Sequence, residues 1–191
     1  MRGVRQGHPG GPTGGSAAHQ ALRGLRRRTP VTSRLLALAV AAAVVVADQL
    51  TKWWVVSTLP GRPIELIPGV LQLRYTENTG AAWGLLPGAG SFIALGAIAA
   101  AVVIVLVVHR LQRRLEAVAM GLVLGGALGN LGDRVFRGPG LLDGPVVDFV
   151  DFSHFPAFNV ADSAITVGAA LAILAAFVLG RRAKENADPA A

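Results

Sequence analysis

Four long apolar stretches, each closed by polar or charged residues, dominate the pattern of this chain. The first runs from Leu35 to Ala47 and continues through the mixed segment Asp48-Gln49-Leu50-Thr51-Lys52-Trp53-Trp54. The second, Ser91 to Val108, is uncharged over 18 residues. The third, Ala117 to Gly132, is uncharged over 16 and ends in Asp133-Arg134, and the fourth, Ser163 to Gly180, is uncharged over 18 and begins just after Asp162. A helix needs about 20 mostly apolar residues, or about 17 at the short end, to cross the hydrocarbon of a bilayer. The pattern therefore predicts an all-α membrane bundle with four spans at about 35–57, 91–108, 116–135 and 160–180, the third reaching full length only with its polar C-terminal turn. No small-x-small cleavage site closes the first apolar run, so it reads as an uncleaved span rather than a signal peptide.

A different periodicity fills the first long connection. In RPIELIPGVLQLRYTEN the positions Ile64, Leu66, then Val70, Leu71, Leu73 and Tyr75 partly alternate, and Pro68-Gly69 interrupts them. That predicts a hairpin or small sheet resting at the membrane surface. Trp53, Trp54 and Trp83 all fall near the outer boundary, where indole rings prefer to sit.

Composition agrees with a membrane protein: 52% of the 191 residues are hydrophobic and only 15% charged, and the mean hydropathy is +0.52. The length allows one compact membrane domain, residues 34–181, between tails at 1–33 and 182–191. With no cysteine, thiol catalysis, disulfides and thiolate metal sites are excluded. The four histidines, His8, His19, His109 and His154, include no pair at helical ligand spacing, so no metal site is expected, and no organic cofactor is implied.

The net charge of +7 invites a nucleic-acid reading, but its distribution argues against one. Residues 1–34 hold seven arginines and no acid, which accounts for the whole excess. This Gly-, Pro- and Arg-rich tail reads as disordered and cytoplasmic, its RGLRRR cluster attracted to anionic membrane lipid at about 1 kcal/mol per residue. The link HRLQRRLE and the C-terminal RRAKENAD are also basic, whereas the loops 58–90 and 137–158 are neutral or acidic. By the positive-inside rule both termini face the cytoplasm and both larger loops face outward.

Against this background a set of polar residues stands out, because ionisable side chains at membrane depth are costly and mark function by default. Asp48 and Lys52 lie four apart on one helix, close enough for a neutralised ion pair that ties helices together. Asn78, in Asn78-Thr79-Gly80, belongs either to a tight re-entrant turn or to a site where its amide holds substrate backbone. Asn130 and Arg134 share a helical face, and Arg134 needs a partner, for which Asp133 or a substrate carbonyl would serve. Gly121, Gly125, Gly126 and Gly129 form a stripe suited to helix packing. Asp148, in PVVDFVDF, and Asp162, in FPAFNVADSAI, are candidates for a pair that divides acid and base work, since two close carboxyls cannot both ionise cheaply. The bland alternative makes Asp162 a first-turn acid favoured by the helix dipole and Asp148 a loop charge; Asp151 rivals Asp148, and spacing does not choose between them. A proton-coupled transporter would use the same carboxylates as a relay.

The blocks DQLTKWWV, NTGAAWG, GALGNLGDRV, VVDF and FPAFNVADSAI, in this order over about residues 35–180, resemble lipoprotein signal peptidase (signal peptidase II). The resemblance implies a four-span inner-membrane aspartyl peptidase with a small extracytoplasmic β-cradle. It implies cleavage of prolipoproteins just before the diacylglyceryl-modified cysteine. It also implies partners in membrane lipid and in peptide antibiotic inhibitors such as globomycin. Carried over, it makes Asp148 rather than Asp151 the catalytic partner of Asp162. Asn78, Gly80, Asn130, Arg134 and Asn159 become substrate-contacting residues, and Asp48, Lys52 and Asp133 structural ones. Two departures stand: Trp83-Gly84 where Phe-Ser is commoner, and a short outer loop that sets Asp162 only 14 positions after Asp148.

Overall fold

Helix α1 (Pro30–Thr58), α2 (Gly90–Val108), α3 (Arg114–Phe136) and α4 (Val160–Ala187) carry the four apolar stretches. The computed structural model describes residues 30–80, 89–111 and 113–187. The expected arginine-rich tail up to residue 29, Trp83-Gly84 and the last four residues lie outside these. Each helix is long and apolar enough to cross a membrane. The shortest, α2, has 19 residues, which at 1.5 Å each spans about the 30 Å of hydrocarbon.

Helix α3 packs against all three others. Its glycine stripe makes this possible, because small residues let backbones approach closely. A side chain at Gly125 would place its Cβ 2.7 Å from the Ala41 carbonyl oxygen of α1, and one at Gly126 would strike the Ala161 carbonyl oxygen of α4. The apolar side chains with no helix to cover them point outward: Leu35, Leu50, Phe92, Leu106 and Ile173 are all more than half exposed. In water that would be a liability, whereas in a bilayer it is the lipid-facing surface.

Four strands form one antiparallel sheet in the order β1 (Ile64–Ile67), β2 (Leu71–Asn78), β3 (Val146–Phe152), β4 (Phe155–Phe158). The expected hairpin is β1–β2, and its turn is closed by Val70 N–H donating to the Ile67 carbonyl at 2.9 Å. Pro68 and Gly69 occupy the centre of that turn, where the φ of +69° at Gly69 suits a residue without Cβ. The second hairpin corrects the reading of Asp148 as a loop charge. Asp148 sits within β3, opposite Thr76 of β2.

The sheet is seated at one end of the bundle. Val55 and Leu59, from the last turns of α1, pack with Val147 and Phe149 of β3, and Val160 at the start of α4 joins them. At the other end Ala37, Val108, Leu111 and Ala117 form a separate apolar cluster beside the basic link between α2 and α3.

Candidate active site

The end of α3, the start of α4 and the middle of the sheet converge where the polar residues are concentrated. Asn159 organises the meeting point. It caps α4 in a reciprocal box: its Oδ1 accepts from the Asp162 backbone N–H at 2.9 Å, and its own backbone N–H donates to Asp162 Oδ2 at 3.2 Å. Its side-chain amide, oriented by that bond, donates to Asp148 Oδ1 at 2.7 Å. One residue therefore binds both carboxylates. Asn159 is fully buried, so it touches the dyad rather than the open cavity.

The remaining oxygens are held by two more amides. Asn78 Nδ2 donates to Asp148 Oδ2 at 3.1 Å, and Asn130 Nδ2 donates to Asp162 Oδ1 at 2.8 Å. Both amides are locked. Asn78 Oδ1 accepts from Gly80 N–H at 3.0 Å, an Asx turn, and Asn130 Oδ1 accepts from Lys52 Nζ at 2.9 Å and from Asn159 Nδ2 at 3.1 Å. Burial pushes the Asp148 carboxyl up to about 7, the negative charge of Asp162 adds to this, and the Asn78 and Asn159 donors pull the other way.

Both aspartates line a cavity of about 710 Å³. Asn78, Gly80, Asn130 and Arg134 share its wall, and the rest is largely apolar, with Ile93 and Ala97 of α2 and Ile165 of α4 among the lining residues. A site with a few convergent polar groups in an apolar enclosure is suited to a substrate that is part peptide and part hydrocarbon.

Beneath the dyad lies a buried charged cluster. Lys52 Nζ contacts Asp48 Oδ2 at 2.8 Å, Asp133 Oδ2 at 2.9 Å and Asn130 Oδ1 at 2.9 Å, so all three of its protons are used. The expected Asp48–Lys52 pair thus includes a third member, Asp133. Arg137, four residues on, also pairs with Asp133 at 2.7 Å, and Gln49 Nε2 bonds to Asp48, to Asp133 and to the Gly129 carbonyl. Neither Arg137 nor Gln49 was anticipated; the i, i+4 spacing from Asp133 is the signal that would have found Arg137.

Arg134 does not pair with Asp133, because adjacent residues on a helix point in different directions. Its guanidinium, 3% exposed, donates instead to the Gly80 carbonyl at 2.8 Å and the Gly144 carbonyl at 3.1 Å, fastening both outer loops to α3. Asp151 lies elsewhere. Three residues after Asp148 on a strand, it bonds to Arg74 Nε at 2.6 Å and Gln72 Nε2 at 2.7 Å, which hold its carboxyl below the usual range. Among the described residues no cluster of three or more His, Cys, Asp or Glu is arranged to hold a metal.

Four membrane-length helices, a small sheet on one end and two carboxylates, one buried and one half-buried, in a shared cavity define a polytopic membrane enzyme of the aspartic-peptidase kind. The family model described as signal peptidase (SPase) II matches residues 40–178, and the chain belongs to that family. It is 44% identical over 148 residues to the lipoprotein signal peptidase of Rhodococcus jostii (strain RHA1), covering 76% of this chain and 75% of the relative. It is 43% identical over 155 residues to that of Shouchella clausii (strain KSM-K16), covering 79% and 99%. A solved structure, described as a bacterial membrane enzyme obtained by the in meso method at 2.3 Å resolution, superposes with a TM-score of 0.66 at 36% identity, covering 74% of this chain and 87% of that one.

Proposed function

We propose that this chain removes signal peptides from prolipoproteins, cutting just before the diacylglyceryl-modified cysteine, with Asp148 and Asp162 as its catalytic pair. The observation that carries the assignment is the double engagement of Asn159, whose side chain holds Asp148 and whose backbone holds Asp162. Family membership removes the ground for the transporter reading.

The chemistry follows from one proton shared between two carboxyls. Asp148, 2% exposed on β3, is assigned the proton, and Asp162, at the N-terminus of α4 where the helix dipole favours negative charge, is the base. Asp162 takes a proton from water as the oxygen attacks the scissile carbonyl. Asp148 donates to the carbonyl oxygen, stabilising the tetrahedral intermediate. The proton held on Asp162 then passes to the departing amine, and the dyad returns to its starting charge as Asp148 recovers its own. Asn78 and Asn130 hold the acids on the cavity wall, and Arg134 holds the two loops that border it. Asn78, Gly80, Asn130 and Arg134 are read as the substrate-contacting residues, all of them on that wall.

Charge supports an orientation with both termini in the cytoplasm and the dyad at the outer face: the basic link between α2 and α3 lies at the end opposite the sheet. Acyl chains then remain in lipid while the peptide bond enters the cavity. Peptide antibiotics such as globomycin are read as occupants of the same cavity. The direct test is to add a diacylglyceryl-modified prolipoprotein to the purified protein. A shortened product with an acylated N-terminal cysteine supports the reading; intact substrate with folded protein refutes it.

A further inference from the structure

The buried cluster under the dyad has an arrangement that neutralising a pair of charges does not require. Asp48 Oδ1 accepts from the backbone N–H of Ala161 at 3.0 Å, and Asp133 Oδ2 accepts from the backbone N–H of Val147 at 3.1 Å. Ala161 immediately precedes Asp162, and Val147 immediately precedes Asp148. Lys52, fully buried, is bound to both carboxylates and also to Asn130, which donates to Asp162. One ammonium thus touches three groups, each of which holds a dyad aspartate or its neighbour.

We propose that Lys52 is a positioning residue for peptide cleavage: it yokes Asp48 and Asp133, and through them the two backbones that carry Asp162 and Asp148, and it turns the Asn130 amide toward Asp162. This rests on the dyad reading above. An asparagine side chain can present either end, and Lys52, donating to Oδ1 together with Asn159 Nδ2, leaves the NH2 end facing Asp162. A lysine that served only to balance charge would need no contact with Asn130.

The same ammonium is an electrostatic neighbour of the dyad. Asp148 is faced by Asp162 from α4, by Lys52 from α1 and by Arg134 from α3, while Lys52 is faced by Asp48 on its own helix and Asp133 on α3, the latter shared with Arg137. Lys52 favours ionisation of Asp148. Removing it therefore moves the titration of Asp148 to higher pH, and the cleavage profile moves with it.

The test is the variant Lys52→Met/Asp48→Asn, which deletes one charge of each sign. It leaves Asp133 paired with Arg137 and keeps an acceptor for Ala161 N–H. With acylated prolipoprotein in detergent micelles, kcat is expected to fall about tenfold to a hundredfold with KM within about threefold. The pH profile is expected to shift upward by about one unit. A purely structural ion pair predicts the opposite, wild-type kcat and an unmoved profile in this charge-balanced variant, and that result would overturn the proposal. Should the double variant fail to fold, Lys52→Gln is neutral yet still able to donate, and it is expected to show the same upward shift. An unmoved profile with wild-type kcat there is equally decisive against it. Asp162→Asn run in parallel separates the two readings. If that variant cleaves, the dyad assignment falls; if it is inactive while the Lys52 variants behave as wild type, only the yoke falls.

Discussion

Asn159 and Asp162 cap each other at the start of α4, side chain to backbone in both directions, at 2.9 and 3.2 Å. An interaction usually read as a local helix signal is here also the mount of a carboxylate on the cavity wall. The amide of the same asparagine reaches across to Asp148 on β3, so helix capping and dyad geometry are one feature with two consequences.

These consequences separate by mutation. Asn159→Ala removes the cap and the bridge together, and α4 is expected to lose about 1 kcal/mol from the cap alone. Asn159→Ser retains a capping oxygen but is too short to reach Asp148. Thermal unfolding in micelles should rank Asn159→Ser above Asn159→Ala. Cleavage should fall by about a hundredfold or more in both. Comparable activity in Asn159→Ser and the unaltered protein would dissociate the bridge from catalysis.

The Asp148 carboxyl, raised to about 7 from 3.8 by burial and then by Asp162, sets a pH dependence with a definite sign. The native state binds this proton more tightly than the unfolded chain. Its stabilising contribution is full below about pH 4 and is lost as the pH rises through about 7. Melting temperature should therefore decline between about pH 4 and 7, less so in Asp148→Asn. Cleavage should fall as the pH passes about 7, since the acid is then deprotonated. A rate that climbs steadily to pH 9 would contradict this.

Asp151→Asn discriminates between the two aspartates of β3. Its carboxyl bonds to Arg74, whose side chain is 46% exposed, and to Gln72. A partly exposed pair of this kind contributes at most about 1 kcal/mol. Cleavage should stay within a few-fold of the unaltered protein, measured on the same acylated substrate; total loss would show that the wrong strand aspartate has been assigned.

The spans were legible in the sequence because lipid imposes a length and a polarity that few other environments do, and the first hairpin was legible because Pro68-Gly69 interrupts an alternating run. The second hairpin was hidden for a physical reason. Val146, Val147, Asp148 and Phe149 are all buried, so β3 has no polar face to create a period of two. The choice between Asp148 and Asp151 was open for a related reason. Residues three apart on a strand face opposite sides, and nothing in VVDFVDF says which side is inward. Of the two partners open to Arg134, Asp133 fails because neighbours in sequence are not neighbours across a helix face, and the carbonyls of Gly80 and Gly144 take the guanidinium instead. Asn159 was singled out from its motif, yet its capping role was written in the local pattern Asn159-Val160-Ala161-Asp162, an N-cap asparagine with an acid three residues later.

The most direct measurement is cleavage of diacylglyceryl-modified prolipoprotein by Asp148→Asn and Asp162→Asn, each purified in folded form beside the unaltered protein. The two-carboxylate account predicts that either amide abolishes product formation, since neither acid can do both proton transfers alone. Substantial turnover by either variant would contradict it.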